Sequence, residues 1–413
     1  MKKVFAVIAI LGMFACQEKM EKKISFEDDV AFLASDDLAG RETGTEGEIK
    51  AAHYIKDRFK SMELQAMGNA GTYFQTFTFA PKNDPHGEVR FRESGKNDSL
   101  ITGTNVIGFL NHKAKNTIVI GAHYDHLGMG GEGSLHREGA AIHNGADDNA
   151  SGVAIMLQLA ETLKAENYKG NNYLFIAFSG EEMGLLGSNF FTKNATIDLS
   201  TVNYMINMDM VGRLNDDKAL AVHGTGTSPI FPQAVFSANS DFKIAEHKSG
   251  VGPSDHTSFY LNDIPVLHFF TGQHEDYHKP GDDSQKLNYD GMALIQKYIE
   301  AIILELDDNG KIKFTKTKDE SAAVPSFKVG LGVVPDYLYS GSGMRIDGVS
   351  EGKAAQNAKL QRGDIVIKMG DSTVTDMMSY MRVLSTFDQG DTTTVVIQRE
   401  GEEIEKEVTF VKD

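Results

Sequence analysis

The chain has 413 residues, room for two or three domains, and 41% of them are hydrophobic, so a sizeable core is expected. A net charge of −17 argues against nucleic acid as a partner, because gripping a phosphate backbone takes basic patches. A single cysteine rules out an internal disulfide.

Residues 1–16 read as an export signal. Lys2-Lys3 leads into an apolar stretch from Val4 to Phe14, too short to span a bilayer. The stretch stops at Ala15-Cys16, and a cysteine placed after an apolar core and a small residue resembles the acceptor of a bacterial lipoprotein signal. Met13-Phe14-Ala15 departs from the usual Leu-(Ala/Ser)-(Gly/Ala) lead, so an ordinary secretory signal is the other reading. With Cys16 lipidated, the protein is expected in the bacterial cell envelope, facing the periplasm or the cell surface, and touching a membrane only through the anchor. Residues 17–24 are charged and read as a tether.

The next elements follow in chain order. Ile49, Ala52, Ile55, Phe59 and Met62 recur at three- and four-residue steps and predict an amphipathic helix. Residues 73–79 alternate aromatic and β-branched side chains as a strand does. Thr117 to Ala122 is an apolar run that enters His123-Tyr124-Asp125. Ala150 to Leu163 predicts a helix, with Asn149 as N-cap and Val153, Met156, Leu157, Ala160 and Leu163 on one face. Tyr173 to Phe178 enters Ser179-Gly180-Glu181-Glu182, Tyr204 to Met208 enters Asp209, and Pro265 to Phe270 enters a loop carrying Tyr277-His278. Alternating strands and helices across 105–305 imply an α/β fold: a mixed, mostly parallel central sheet flanked by helices, in a domain spanning 25–306. A polar stretch at 307–324 reads as a linker. Residues 325–413 contain the short β runs Arg345–Val349, Asp364–Met369 and Thr394–Gln398, with a helical stretch from Met377 to Leu384. They form a small α+β domain.

In open α/β sheets, ligands gather at the carboxyl ends of the strands. Here those ends carry His123, Glu181, Glu182, Asp209 and His278, a nitrogen and oxygen donor set for a divalent metal. Of two adjacent carboxylates, one can bind metal while its neighbour takes a proton from water. Asp147-Asp148 lies in a glycine-flanked turn before a helix, where one carboxylate could bridge two cations. Asp125, two residues past His123, can steady that ring. Singly, each has a blander reading as a solvated carboxylate or a helix cap. His53, His86, His112, His223 and His247 read as surface or core residues. His126, His136, His143 and His274 lie near the site in sequence, without an assigned role.

Together these residues resemble the M28 family of zinc peptidases, over roughly residues 30–305. The resemblance implies a zinc exopeptidase-like fold, peptide substrates and two zinc ions per chain. It implies that His123 and Asp209 hold one ion, that Glu182 and His278 hold the other, and that Asp148 bridges them. Glu181 is then the general base on a metal-bridging water, and Asp125 orients His123. Tyr277 would steady the tetrahedral intermediate, and Asp255, in Ser254-Asp255-His256, would belong to the substrate pocket. An aminopeptidase is the leading expectation. The family also includes glutaminyl cyclases, with one working zinc and characteristic tryptophans, and this chain has no tryptophan.

The last domain, with Gly330-Leu331-Gly332-Val333 and later Leu360-Gln361-Arg362-Gly363-Asp364-Ile365, resembles a bacterial PDZ domain. That implies that Leu331, Gly332 and Val333 surround a peptide carboxylate while the peptide adds to a sheet edge. A peptide-binding envelope adaptor with an idle peptidase domain is the alternative from another class.

Overall fold

The structure is a computed structural model. It describes residues 24–317 and 329–410, apart from 81–90, 92–99, 132, 166–167, 240, 337–338, 340 and 351. The export signal, Cys16 and nearly all of the tether lie outside the described residues.

The first domain is built on a nine-stranded sheet. Its strands are β1 (Gln65–Ala66), β2 (Phe74–Phe79), β3 (Ile101–Leu110), β4 (Thr117–His123), β5 (Asn172–Phe178), β6 (Val202–Met208), β7 (Ala219–His223), β8 (Lys243–His247) and β9 (Val266–Phe270). They lie in the order β1-β3-β5-β4-β6-β9-β7-β8, with β2 also on β3. The centre, β5-β4-β6-β9, is parallel, and antiparallel pairs flank it at β3–β5 and β7–β9. Strands β4, β5 and β6 are buried along their whole length, as expected of a sheet covered on both faces.

One face is covered by α1 (Phe26–Leu33), α2 (Glu46–Ser61), α3 (Gly152–Thr162), α5 (Phe231–Ala238) and α7 (Tyr289–Asp307). The other is covered by α4 (Leu186–Lys193) and α6 (His256–Tyr260), where Phe191 and Phe259 stack with centroids 5.9 Å apart. Two helices differ from their sequence patterns. In α3 every residue from Gly152 to Ala160 is buried, because α1 and α7 cover the side turned away from the sheet. In α2 Ile49 is 51% exposed, and the inward place near it belongs to Glu48. That carboxylate accepts hydrogen bonds from the amides of Gly44 and Thr104 and from the hydroxyls of Tyr124 and Ser179. Four donors make burial of this carboxylate tolerable.

Beyond α7 the chain stays on the first domain. The amide of Ile312 donates to Asn203 Oδ1 (2.8 Å), the amide of Thr315 to the Thr227 carbonyl (2.8 Å), and Thr317 meets the Tyr260 hydroxyl at 2.9 Å. The second domain has its own core and a six-stranded antiparallel sheet. Its elements are β10 (Val333–Pro335), β11 (Met344–Val349), α8 (Ala354–Asn357), β12 (Ile365–Met369), β13 (Ser372–Thr373), α9 (Met377–Leu384), β14 (Thr392–Arg399) and β15 (Glu402–Thr409). Strand order is β10-β11-β12-β14-β15, with β13 on β12. Arg399 grips Asp364 through two hydrogen bonds of 2.6 and 2.8 Å, joining β14 to the loop that enters β12.

Candidate metal centre

The carboxyl ends of β4, β5 and β6 converge with the turn before α3 and the loop after β9. His123 Nδ1–H donates to the Asp125 backbone carbonyl (3.2 Å), which leaves Nε2 with its lone pair free. That Nε2 lies 3.3 Å from Asp148 Oδ1 and 3.3 Å from Asp209 Oδ1. On the opposite side His278 Nδ1–H donates to the Gly133 carbonyl (2.8 Å), and its Nε2 lies 3.2 Å from Asp148 Oδ2 and 3.3 Å from Glu182 Oε2. The two oxygens of Asp148 thus face two different histidines. Zinc bonds of roughly 2.0–2.1 Å at a tetrahedral angle separate neighbouring donors by about 3.3 Å, so both groups have the spacing that a zinc ion needs.

His126 also stands at the second group. Its Nδ1 is 2.7 Å from Glu182 Oε1 and 3.8 Å from Asp148 Oδ2, and its Nε2 is buried without a partner. His123, Asp148 and Asp209 form one set able to hold a metal ion, and His126, Asp148 and Glu182 form another. The sequence signal for His126 is its spacing from His123, His-x-x-His, read together with the ligand that precedes it.

The electrostatics fit the same need. Burial raises Glu181 well above the ordinary carboxylate range despite nearby His123, and the carboxylates of Asp209 and Glu182 add to the effect. Burial raises Asp209 as well. Burial opposes charging of His278, but Glu182 and Asp148 outweigh it and lift the ring to about 11. Burial and Asp148 push Glu182 up, yet His278 and His126 bring it down to about 2. Buried carboxylates crowded against one another call for cations, and the donor set is one that suits zinc.

Several residues hold these groups in place. Asp125 accepts from the Glu181 amide with Oδ1 (3.1 Å) and from the Thr43 hydroxyl with Oδ2 (3.1 Å). Its carboxylate is 3.7 Å from His123 Nδ1, farther than its own backbone carbonyl, so the carbonyl is the closer partner of the ring. Asn149 accepts from the Gly152 amide (3.0 Å), as a cap, and donates to the Met208 carbonyl (2.9 Å). Gly145 adopts φ 56°, and a Cβ there would lie 2.6 Å from the His126 ring. Arg41 is fully buried and donates to the carbonyls of Tyr124 (2.7 Å), Asn144 (2.6 Å), Gly145 (3.0 Å) and Leu33. Its contribution is invisible in the sequence, where Gly40-Arg41-Glu42-Thr43 looks like a solvated loop.

A cleft of about 100 Å³ opens beside the ligands. Glu181, Tyr277 and His278 line it, and the Tyr277 and His278 rings stack with centroids 3.8 Å apart. Asp255 does not line it. That residue, expected in the substrate pocket, is wholly buried at the head of α6, where burial lifts its carboxyl to about 7. His223, read as a surface or core residue, instead stands in the cleft wall. In the second domain the Leu331 side chain is in the core, the Gly332 carbonyl accepts from the Ser350 amide (2.8 Å), and Val333 begins the edge strand β10.

An α/β sheet of this order, with histidine and carboxylate donors at its parallel strand ends, defines a zinc exopeptidase-like fold. Residues 105–303 match the model of peptidase family M28, and residues 312–410 match that of the PDZ domain. The chain therefore carries an M28-family peptidase domain followed by a PDZ domain. It is 29% identical over 217 residues to a probable leucine aminopeptidase of Arthroderma otae, covering 49% of this chain and 56% of that one. The chain spans about half the length of the curated relatives it matches. Among solved structures, BSAP, a zinc aminopeptidase from Bacillus subtilis, superposes with a TM-score of 0.53 at 16% identity, over 73% of this chain and 97% of that one. Porphyromonas gingivalis glutaminyl cyclase superposes with the same TM-score at 18% identity, over 69% and 97%. The likeness to both is one of fold.

Proposed function

We propose that this chain is a zinc-dependent aminopeptidase that holds two zinc ions and removes residues from the N-terminus of peptides. The observation that carries this reading is Asp148, whose two oxygens face His123 on one side and His278 on the other, each at the spacing of zinc donors. His123 and Asp209 would hold one ion, and Glu182 and His278, with His126 beside them, the other. Bound there, zinc supplies Lewis-acid polarisation of the scissile carbonyl and lowers the pKa of water.

The protein's own groups do the rest. Glu181 lies three residues past the end of β5 and is held by the bond from its amide to Asp125, with Oε2 4.0 Å from His123 Nε2. A carboxylate in that position would take a proton from the attacking water and hand it to the leaving amine. Tyr277, which lines the cleft, would donate to the tetrahedral oxyanion. Two ligand groups sharing one carboxylate favour hydrolysis over the single-zinc chemistry of a cyclase, and an intact ligand set with its base favours an enzyme over an idle adaptor.

The test is hydrolysis of aminoacyl-p-nitroanilides by the mature protein, with and without o-phenanthroline, beside Glu181→Gln. Turnover lost to the chelator and to the variant is expected; turnover surviving either would sink the mechanism. Ammonia release from an N-terminal glutamine peptide, with no anilide cleaved, would favour the cyclase. The PDZ domain we assign to capture of a peptide C-terminus at Leu331–Val333 and β10, to be measured by titration with a peptide and its amidated twin. The N-terminal sequence supports export and lipidation at Cys16, and metabolic palmitate labelling that persists in Cys16→Ser would overturn it.

A further inference from the structure

The part of the cleft wall contributed by Met210, His223, Pro253, His268 and Phe270 is unusual in its chemistry. The sheet register explains the histidines: His223 on β7 pairs directly with His268 on β9 and with His247 on β8, so all three rings share one face. His223 and His247 stack with centroids 4.3 Å apart, and His256 from α6 stacks on His268 at 4.3 Å and 8°. Burial and mutual proximity hold His223, His256 and His268 well below the ordinary histidine range, so this stack is uncharged. A neutral imidazole offers one N–H donor and one lone pair.

The proton on His268 can be placed. An amide nitrogen can only donate. Ser254 Oγ is then the acceptor for Asn207 Nδ2 at 2.9 Å. The same amide nitrogen is 3.1 Å from His268 Nδ1, which must therefore accept, leaving the ring proton on Nε2. The wall thus has a hydrogen-bond donor in His268 and, in neutral His223, an imidazole with one lone pair. An aliphatic side chain in the cleft would cover these groups without pairing them, and a site whose buried polar groups lose their partners in this way disfavours that occupant. A carboxylate side chain would meet no lysine or arginine among these residues.

Given the aminopeptidase reading, on which this inference rests, we propose that the wall makes the cleft selective for a substrate whose first residue carries a carboxamide, asparagine or glutamine, over its aliphatic isostere and over its acidic counterpart. The carboxamide oxygen accepts from His268 Nε2–H, and its NH2 donates to a neighbouring imidazole lone pair.

The experiment compares kcat/KM of the zinc-loaded full chain on the p-nitroanilides of Asn, Leu, Gln, Met and Glu. Asn over Leu and Gln over Met by about tenfold or more are expected, because a site built to hydrogen-bond rejects the analogue that lacks the partner. In His268→Phe, and independently in His223→Phe should the first fail to fold, the Asn/Leu ratio should fall by about tenfold or more. Leu cleaved as fast as Asn, or a ratio unchanged in a folded variant, overturns the specificity while leaving the aminopeptidase reading intact. No anilide cleaved at all overturns that reading and the specificity with it.

Discussion

The side chain of Asp282 holds the backbone of Asp148: its Oδ2 accepts from the amide of Asp148 at 3.0 Å and from that of Asp147 at 2.9 Å. The Asp282 carbonyl also accepts from the Ala146 amide (3.0 Å), so the turn carrying Asp148 is pinned at three successive amides by one residue. Asp282 closes the stretch that began at Tyr277-His278, so His278 and Asp148 are set by a common loop.

Removing that support should cost more than removing its charge. Asp282→Asn keeps an oxygen for both amides, whereas Asp282→Ala leaves them unpaired. Zinc affinity or kcat/KM should fall about 10–100-fold in the alanine variant, the usual cost of losing a group that orients a ligand, and much less in the asparagine variant. Competition with a chromophoric chelator measures the affinity. Equal losses in the two variants would mean that charge, not geometry, is what Asp282 supplies.

Arg41→Met should destabilise the first domain by about 3 kcal/mol or more, since four carbonyls lose a charged donor inside the protein. Burial lowers this guanidinium to about 10 against the pull of Asp125 and Asp148, so it stays charged at neutral pH. Urea denaturation of the variant beside the wild type gives the number, and a change below about 1 kcal/mol would show those carbonyls finding other partners.

Stripping metal should lower the melting temperature. Zinc at a hundredfold excess over its Kd contributes about 2.7 kcal/mol, which for a domain of this size is a shift on the order of 5–10 °C. EDTA should produce the fall and added zinc should reverse it. A melting curve indifferent to EDTA would contradict the metal centre.

His274 gives a dependence on pH. Burial works against its charged form, but Asp147, whose Oδ2 is 3.2 Å from Nε2, and Asp282 outweigh burial and raise the ring above its ordinary value. A raised histidine stabilises the fold fully below the unfolded-state value of about 6.5, and the gain is lost as pH rises through the folded value. In chelator-treated protein, melting temperature should therefore fall more steeply above neutrality in the wild type than in His274→Asn. Parallel curves would mean that the ring is neutral throughout.

The candidate site is legible in the sequence because each of His123, Glu181, Glu182 and Asp209 stands at or just past the end of an apolar run, and apolar runs become buried parallel strands. Ile49 misleads because periodicity counts only apolar residues, and the inward position is filled by Glu48, whose four donors come from β3, Tyr124, Ser179 and the preceding loop. Asp255 misleads in the other direction, since a motif fixes a residue type but not how deep it lies. Arg41 and His223 escape notice for one reason. Their partners are distant in sequence, and the pairing of His223 with His268 exists only once β7 and β9 are side by side.

The fastening of the chain beyond α7 bounds how the two domains could cooperate. Thr315 and Thr317 are tied to Thr227 and Tyr260, and the second domain is described from Val329, so eleven residues, 318–328, are left between. A chain of that length reaches at most about 40 Å. A peptide whose far end was held by the PDZ domain would meet the peptidase domain of the same chain rather than reach it from bulk solution, which raises its effective concentration there. Weak capture at one end would then suffice to make successive cuts at the other a property of the same encounter.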